Sequence, residues 1–172
     1  MQGNKQKGEL KNSGQKVQGE ASSSLDNKAY VPVADIPYVD LMQLSLADEM
    51  VLIPVTEVSE VLRPQPLNKV PMAPDHLLGV CNVHGQVLCV IDPYRVMRLE
   101  GTVLEDSEST RFVSLRHPAM NLALRVDAVS SLFNIQESRL NELDEDEGLF
   151  FRGKIAIEGH VYRVVDVEAL FA

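Results

Sequence analysis

Cys81, His84 and Cys89 fall within fourteen residues, Gly79 to Asp92, that read GVCNVHGQVLCVID. Two thiols and an imidazole at this spacing are the groups that take soft metals or cycle as a redox pair. A structural zinc site normally takes four ligands. Only three are local, and His76 would have to reach in from a proline-rich stretch to complete the set. Asp92 and Asp166 offer a second chemistry, a carboxylate pair for acid–base work. No nucleophile–base–acid set, phosphate loop or HExxH accompanies them.

The elements that would hold these residues decide between the readings, because the chain repeats. LMQLSLADEMVLIPVTEVSEVL (41–62) lies over FVSLRHPAMNLALRVDAVSSLF (112–133) at an offset of 71 without gaps. CNVHGQVLCVIDPYRVM (81–97) lies over IAIEGHVYRVVDVEALF (155–171) at an offset of 74. Two matches in the same order at nearly one offset indicate a duplicated module. The repeat is an internal control for the candidate ligands. Cys81 corresponds to Ile155, His84 to Glu158 and Cys89 to Arg163. The skeleton is shared and the ligands are not. Cys81 then reads as a small buried hydrophobe, and no metal-binding, cofactor-binding or catalytic residue is assigned. Asp92 and Asp166 are repeat equivalents, which suits helix caps better than a catalytic pair.

Each half is expected to hold about five short strands. LMQLSL and FVSLRH read as strands, followed by the turns Ala47-Asp48-Glu49 and His117-Pro118-Ala119, and then by the apolar runs MVLIPV and LALRV. Thr56 or Asp127 is expected to cap a short helical turn, since EVSEVL and AVSSLF space apolar groups at i, i+3 and i+4. Pro64, Pro66, Pro71 and Pro74 predict an extended loop. The second half carries an acidic run, Asp144 to Glu147, in the corresponding region. Each half ends in a hairpin about Gly85 or Gly159, where a tight turn needs positive φ. So many short strands in roughly sixty residues would leave long edges unless they close into barrels. The fold class expected is mostly β: two similar five-stranded barrels, one from each half (about 38–100 and 109–172), packed by their apolar outer surfaces.

Composition bounds the rest. The chain has 172 residues, 45% of them hydrophobic, enough for one domain or two small ones. Residues 1 to 35 are rich in Gln, Gly, Ser, Lys and Asn, and are expected to be a disordered tail. Residues 36–172 are the expected domain. The chain is −9 overall, and five Lys against three acids put +2 in residues 1–28, leaving −11 on the remainder. An acidic body repels phosphate backbones, which argues against a nucleic-acid role. No apolar run reaches the length of a membrane span, and the N-terminus lacks the apolar stretch of a signal peptide. Direct membrane insertion is not expected, and the location expected is cytoplasmic, where thiols stay reduced.

VTEVSEV, KVPMAPDHLLGV and GVCNVHGQVLCVID, in that order, resemble CheW-like domains, and LALRVDAVSSLF with IAIEGHVYRVVDVEALF extends the resemblance over about residues 38–172. The resemblance implies two SH3-like barrels and no catalysis. It implies a coupling role between the regulatory domain of a CheA-type histidine kinase and the cytoplasmic tip of a chemoreceptor, at receptor arrays on the membrane. Other CheW-like proteins are further partners it allows. Carried over by position, Val58 falls on the kinase side, while Glu60, Gly79, Asn82, His84 and Gly85 fall on the receptor side. His84 stands where Arg is usual, Cys89 where Pro is usual, and Pro93 where Leu is usual. An Arg brings a permanent charge and a bidentate fork, and a neutral imidazole brings neither. The departure at His84 leaves a second reading open: an adaptor, in surface motility or another system, that binds kinase or other CheW-like domains but not receptors. A small metal or redox sensor built on the hairpin is a third.

Overall fold

The computed structural model describes residues 36–172; the tail expected over residues 1 to 35 lies outside the described residues. The body is built from ten strands. They are β1 (Tyr38–Leu46), β2 (Glu49–Pro54), β3 (Val58–Leu62), β4 (Leu77–Val83), β5 (Gln86–Ile91), β6 (Arg111–Leu115), β7 (Leu122–Val126), β8 (Ala128–Gln136), β9 (Phe151–Ile157) and β10 (His160–Val165). Three short α-helices accompany them: α1 (Pro93–Val96) and α2 (Glu137–Asn141) between strands, and α3 (Val167–Phe171) after the last strand.

There are two five-stranded sheets, as the repeat predicts, but neither belongs to one half of the chain. The first runs β8-β1-β2-β10-β9 and the second β3-β6-β7-β5-β4. Each half gives its opening hairpin to one sheet and its last three strands to the other. The expectation of one barrel from residues 38–100 and another from 109–172 is corrected accordingly. The sequence repeat marks where the module recurs, whereas sheet closure depends on which edges can pair. β2 takes β10 as a parallel neighbour and β7 takes β5, and a parallel neighbour cannot be reached through a tight turn.

Burial explains the patterning. Each sheet curls around its own apolar cluster: Leu41, Leu52, Ile135, Ile155, Ile157 and Val164 in the first, and Cys81, Leu88, Val90, Phe112 and Ala123 in the second. The outer faces meet in a third and larger core that includes Leu44, Val51, Ile53, Val58, Ile91, Val113, Leu124, Val126 and Val165. β2 and β7 lie between an inner cluster and this joint core. In β2, Val51 and Ile53 face the joint core while Leu52 faces inward; in β7, Leu124 and Ala123 divide the same way. Burial on both faces is why these runs show no polar alternation.

EVSEVL and AVSSLF, read as helical by their spacing, lie in β3 and β8. Only a 3-10 turn at Val55–Glu57 precedes β3, and it has no side-chain cap. A run of five or six residues fits both periods, and pairing of β3 with β6 and of β8 with β1 decides for strand. Asp127 caps nothing. Its carboxylate accepts from the Ala47 N–H at 2.7 Å, the Tyr94 hydroxyl at 2.8 Å and Arg125 at 2.9 Å. Asp92 and Asp166 do cap: Asp92 Oδ1 accepts from the Tyr94 N–H at 2.9 Å, and Asp166 Oδ1 from the Ala169 N–H at 3.2 Å.

Candidate partner-binding surface

The β4–β5 hairpin turns through His84 and Gly85, both in the left-handed region at φ 53° and 79°. Its repeat equivalent, β9–β10, turns through Glu158 and Gly159 at 51° and 82°. Two successive residues with positive φ make the turn that matches strand twist, and Gly in the second place carries no steric cost there. Asn82 supports the first hairpin only: its Oδ1 accepts from the Gly85 N–H at 3.0 Å. Ala156 occupies the corresponding place in the other hairpin and has no such group.

His84 Nε2 lies 3.2 Å from Glu60 Oε2, and the imidazole is largely exposed, at 77%. β3 and β4 are opposite edges of the second sheet. The pair therefore spans the seam where the curled sheet comes back on itself. A cavity of about 90 Å³ lies along the seam, lined by Ser59, Glu60, His84, Gln86, Val87 and Asn121 among others. Asn121 Nδ2 donates to Gln86 Oε1 at 3.2 Å, and Val87 is 60% exposed. The structure thus brings Glu60, Asn82, His84 and Gly85 together on one exposed corner. Gln86, Val87 and Asn121 complete it, and sequence reasoning missed them because no spacing rule singles out residues that meet only after a sheet curls.

Gly79 is on the same hairpin but serves the backbone. A Cβ there would lie 2.8 Å from the Asn68 carbonyl oxygen and 2.9 Å from Leu67 Cβ. Gly153 repeats the arrangement: its Cβ would meet the Asp144 carbonyl oxygen at 2.5 Å and Leu143 Cβ at 2.6 Å. In both halves a loop strand crosses here, bridging Asn68 to Val80 and Asp144 to Lys154.

Val58, carried over as a kinase contact, is buried at 7% and belongs to the joint core. It pairs with Leu115, and its carbonyl accepts from Arg116 Nη2 at 3.3 Å. Its side chain is not on the surface; the exposed positions of β3 are Ser59 and Val61. At the adjoining turn, Glu57 pairs with Arg152, and burial nevertheless pushes the Glu57 carboxyl above the usual range.

Cys81 and Cys89 are free thiols on opposite faces of the second sheet: Cys81 in its inner cluster, Cys89 against the joint core. Burial pushes the Cys81 thiol up, and the nearby Cys89 adds to this. Among the described residues, no group of three or more His, Cys, Asp or Glu is placed to hold a metal ion.

Two arginine-centred networks lie away from the corner, one on a strand of each sheet. Arg125, 3% exposed within β7, donates to Asp106 Oδ1 at 3.0 Å, Asp127 Oδ1 at 2.9 Å and the Leu104 carbonyl at 2.6 Å. Arg163 joins Asp146 of the acidic run to Glu49 of β2, at 2.8 and 2.9 Å, and lies 3.5 Å over the Phe151 ring. The signal was an Arg inside an apolar run, since a buried charge needs partners. Among the described residues no helix is long and apolar enough to cross a membrane.

Residues 40–172 match the family model of the CheW-like domain. The chain is 26% identical over 136 residues to the chemotaxis protein CheW of Rhizobium meliloti, covering 77% of this chain and 86% of that one. It is 24% identical over 100 residues to the chemotaxis protein CheW of Helicobacter pylori, covering 58% and 59%. Its fold is similar to the crystal structure of scaffolding protein TtCheW from Thermoanaerobacter tengcongensis, with a TM-score of 0.68 and 22% identity over 79% of this chain and 89% of that one.

Proposed function

The chain belongs to the CheW-like domain family, and on that premise we propose that it is a non-catalytic coupling protein of a chemosensory array. It joins a CheA-type histidine kinase, through that kinase's regulatory domain, to the cytoplasmic tip of a chemoreceptor. The observation that carries this reading is the exposed corner at the seam of the second sheet. Glu60, Asn82, His84 and Gly85 meet there on a supported turn beside an open cavity. The kinase side is the surface about β3, where Val58 shapes the strand from beneath and Ser59 and Val61 face outward. The work is done in the cytoplasm, with the acidic body resting on protein partners rather than on nucleic acid.

His84 in place of the usual Arg favours a second reading, an adaptor that binds kinase or other CheW-like domains but not receptors. A pull-down of the whole chain against the regulatory domain of the organism's CheA-type kinase and against a receptor-tip fragment separates them. Capture of both supports the coupler. Capture of the kinase domain alone, unchanged in His84→Arg, supports the adaptor. Capture of neither removes both readings.

A further inference from the structure

We propose that two copies of this chain exchange halves, each body then being built from residues 36–101 of one copy and 104–172 of the other, with Thr102 and Val103 as the hinge. Four ladders join the halves: β1 with β8, β2 with β10, β3 with β6, and β5 with β7. Each forms with the same partners when the second half comes from another copy. The joint core draws Val51 and Ile53 from one half and Leu124 and Val126 from the other, and it fills in the same way. An exchanged dimer therefore keeps the contacts of two monomers and differs from them only at the connection between the halves.

That connection runs from Arg98 to Thr110, between α1 and β6, and holds no strand or helix. Its two ends are fastened to different halves. Toward the first half, the Leu99 N–H donates to the Tyr94 carbonyl at 2.8 Å. Gly101 lies so close to the Tyr94 ring that an added Cβ would be 2.9 Å from it. Toward the second half, Arg125 of β7 donates to the Leu104 carbonyl at 2.6 Å and to Asp106 at 3.0 Å. The Ser107 N–H donates to the hydroxyl of buried Thr110 at 2.8 Å. Among the described residues no hydrogen bond fastens Thr102 or Val103, and both line a cavity of about 280 Å³. Opening at these two residues leaves both sets of fastenings in place.

Two effects oppose exchange. Within one chain the halves meet at an effective concentration of the order of millimolar. The crossing of two hinges also brings together Glu100, Glu105, Asp106 and Glu108 of both copies, a repulsion that salt screens. The exchanged dimer is therefore the form of concentrated protein at high salt, and the monomer that of dilute protein. The dimer presents the corner at Glu60 and His84 twice on one particle. That consequence rests on the proposed coupling role, and the exchange itself does not.

Refolding of the full chain from urea at high salt, once dilute and once near millimolar, tests the exchange by size-exclusion chromatography with light scattering. The concentrated sample should give a dimer with the far-UV circular dichroism of the monomer. On dilution that dimer should persist for as long as the body takes to unfold, because the four ladders must part before the halves return. A surface contact separates at once. Val58→Asp and Val126→Asp give a second measurement, since each places its carboxylate in a different half. Refolded together, they should regain cooperative melting that neither shows alone, because one of the two exchanged bodies carries neither change. Monomer alone in the concentrated sample, a dimer that separates at once on dilution, or no recovery in the mixed variants would overturn the exchange. Size and melting are read without any partner, so the result stands apart from the coupling role.

Discussion

Leu52 of β2 lies beside Val164 of β10, in a parallel pair that joins the first hairpin of the chain to the last. Its repeat equivalent joins β7 to β5 through Ala123 and Val90. Each sheet thus needs strands from both halves, and each inner cluster is filled from both. A fragment of residues 36–103 or 104–172 should show little ordered β structure alone. Mixed in equal amounts, the two should recover the far-UV circular dichroism and cooperative melting of the intact body. A half that melts cooperatively by itself would show that its strands close without the other.

Glycines in one hairpin should differ in kind. At Gly79 an added Cβ meets backbone at 2.8 Å, while at Gly85 it meets nothing within 4 Å. Gly85→Ala carries only the cost of a left-handed conformation, about 1–2 kcal/mol. Gly79→Ala must also push back the segment at Leu67 and Asn68, and Gly153→Ala the segment at Leu143 and Asp144. Urea unfolding should rank Gly79→Ala and Gly153→Ala well below Gly85→Ala in stability. Equal losses at Gly79 and Gly85 would mean that the crossing loop yields freely.

Much of the body was legible in the sequence because each of the two matches in its repeat is ungapped. Eight of the ten strands, both hairpin turns and the Asp92 and Asp166 caps follow from residue types within a few positions of each other. The exchange of strands was not legible, since a repeat fixes which segments are alike and says nothing of which edges pair. β3 was misread for a related reason. VSEVL is too short for its period to choose between helix and strand until β6 pairs with it. At the corner, the placing of Glu60, Asn82, His84 and Gly85 on one side came from a resemblance, while Gln86 and Asn121 are far apart in sequence and carry no motif. Arg125 was the clearest missed signal, a charge in the middle of LALRV that had to be paired.

Val58 should behave as a core residue. Val58→Asp and Val126→Asp both bury a carboxylate without a partner in the joint core. Such burial costs several kcal/mol, of the order of a domain's whole stability. Both variants should lose cooperative melting by circular dichroism, so loss of kinase binding in Val58→Asp would report unfolding. Ser59→Arg or Val61→Arg, at exposed positions of β3, probes the surface without that ambiguity. A folded Val58→Asp with parental stability would return Val58 to the surface.

Acid should weaken the body chiefly through two carboxylates. At Asp127, burial raises the pKa, but the Ala47 N–H, the Tyr94 hydroxyl and Arg125 outweigh it and hold the carboxyl below the usual range. At Asp146, the hydrogen bonds from Arg163 are the largest cause of a pKa lowered in the same direction. A carboxyl whose folded value lies below its unfolded value, about 3.9, adds stability that is complete above the unfolded value. That stability is lost as pH falls through the folded value. Glu57 has the opposite sign: its raised carboxyl makes the charged form cost stability as pH rises. Asp127→Asn keeps the shape but removes the charge that faces Arg125 and the acceptor held by Tyr94 and Ala47. Removing one partner of a buried pair costs about 3–5 kcal/mol, and Asp106, still paired with Arg125, should keep this variant toward the lower end. The loss should be largest at pH 7 and smaller at pH 3, below the unfolded value, where the unfolded chain takes up a proton that the folded Asp127 resists. Urea midpoints for parent and variant at the two pH values measure the gap. A gap that stays constant would mean that Asp127 acts by shape alone.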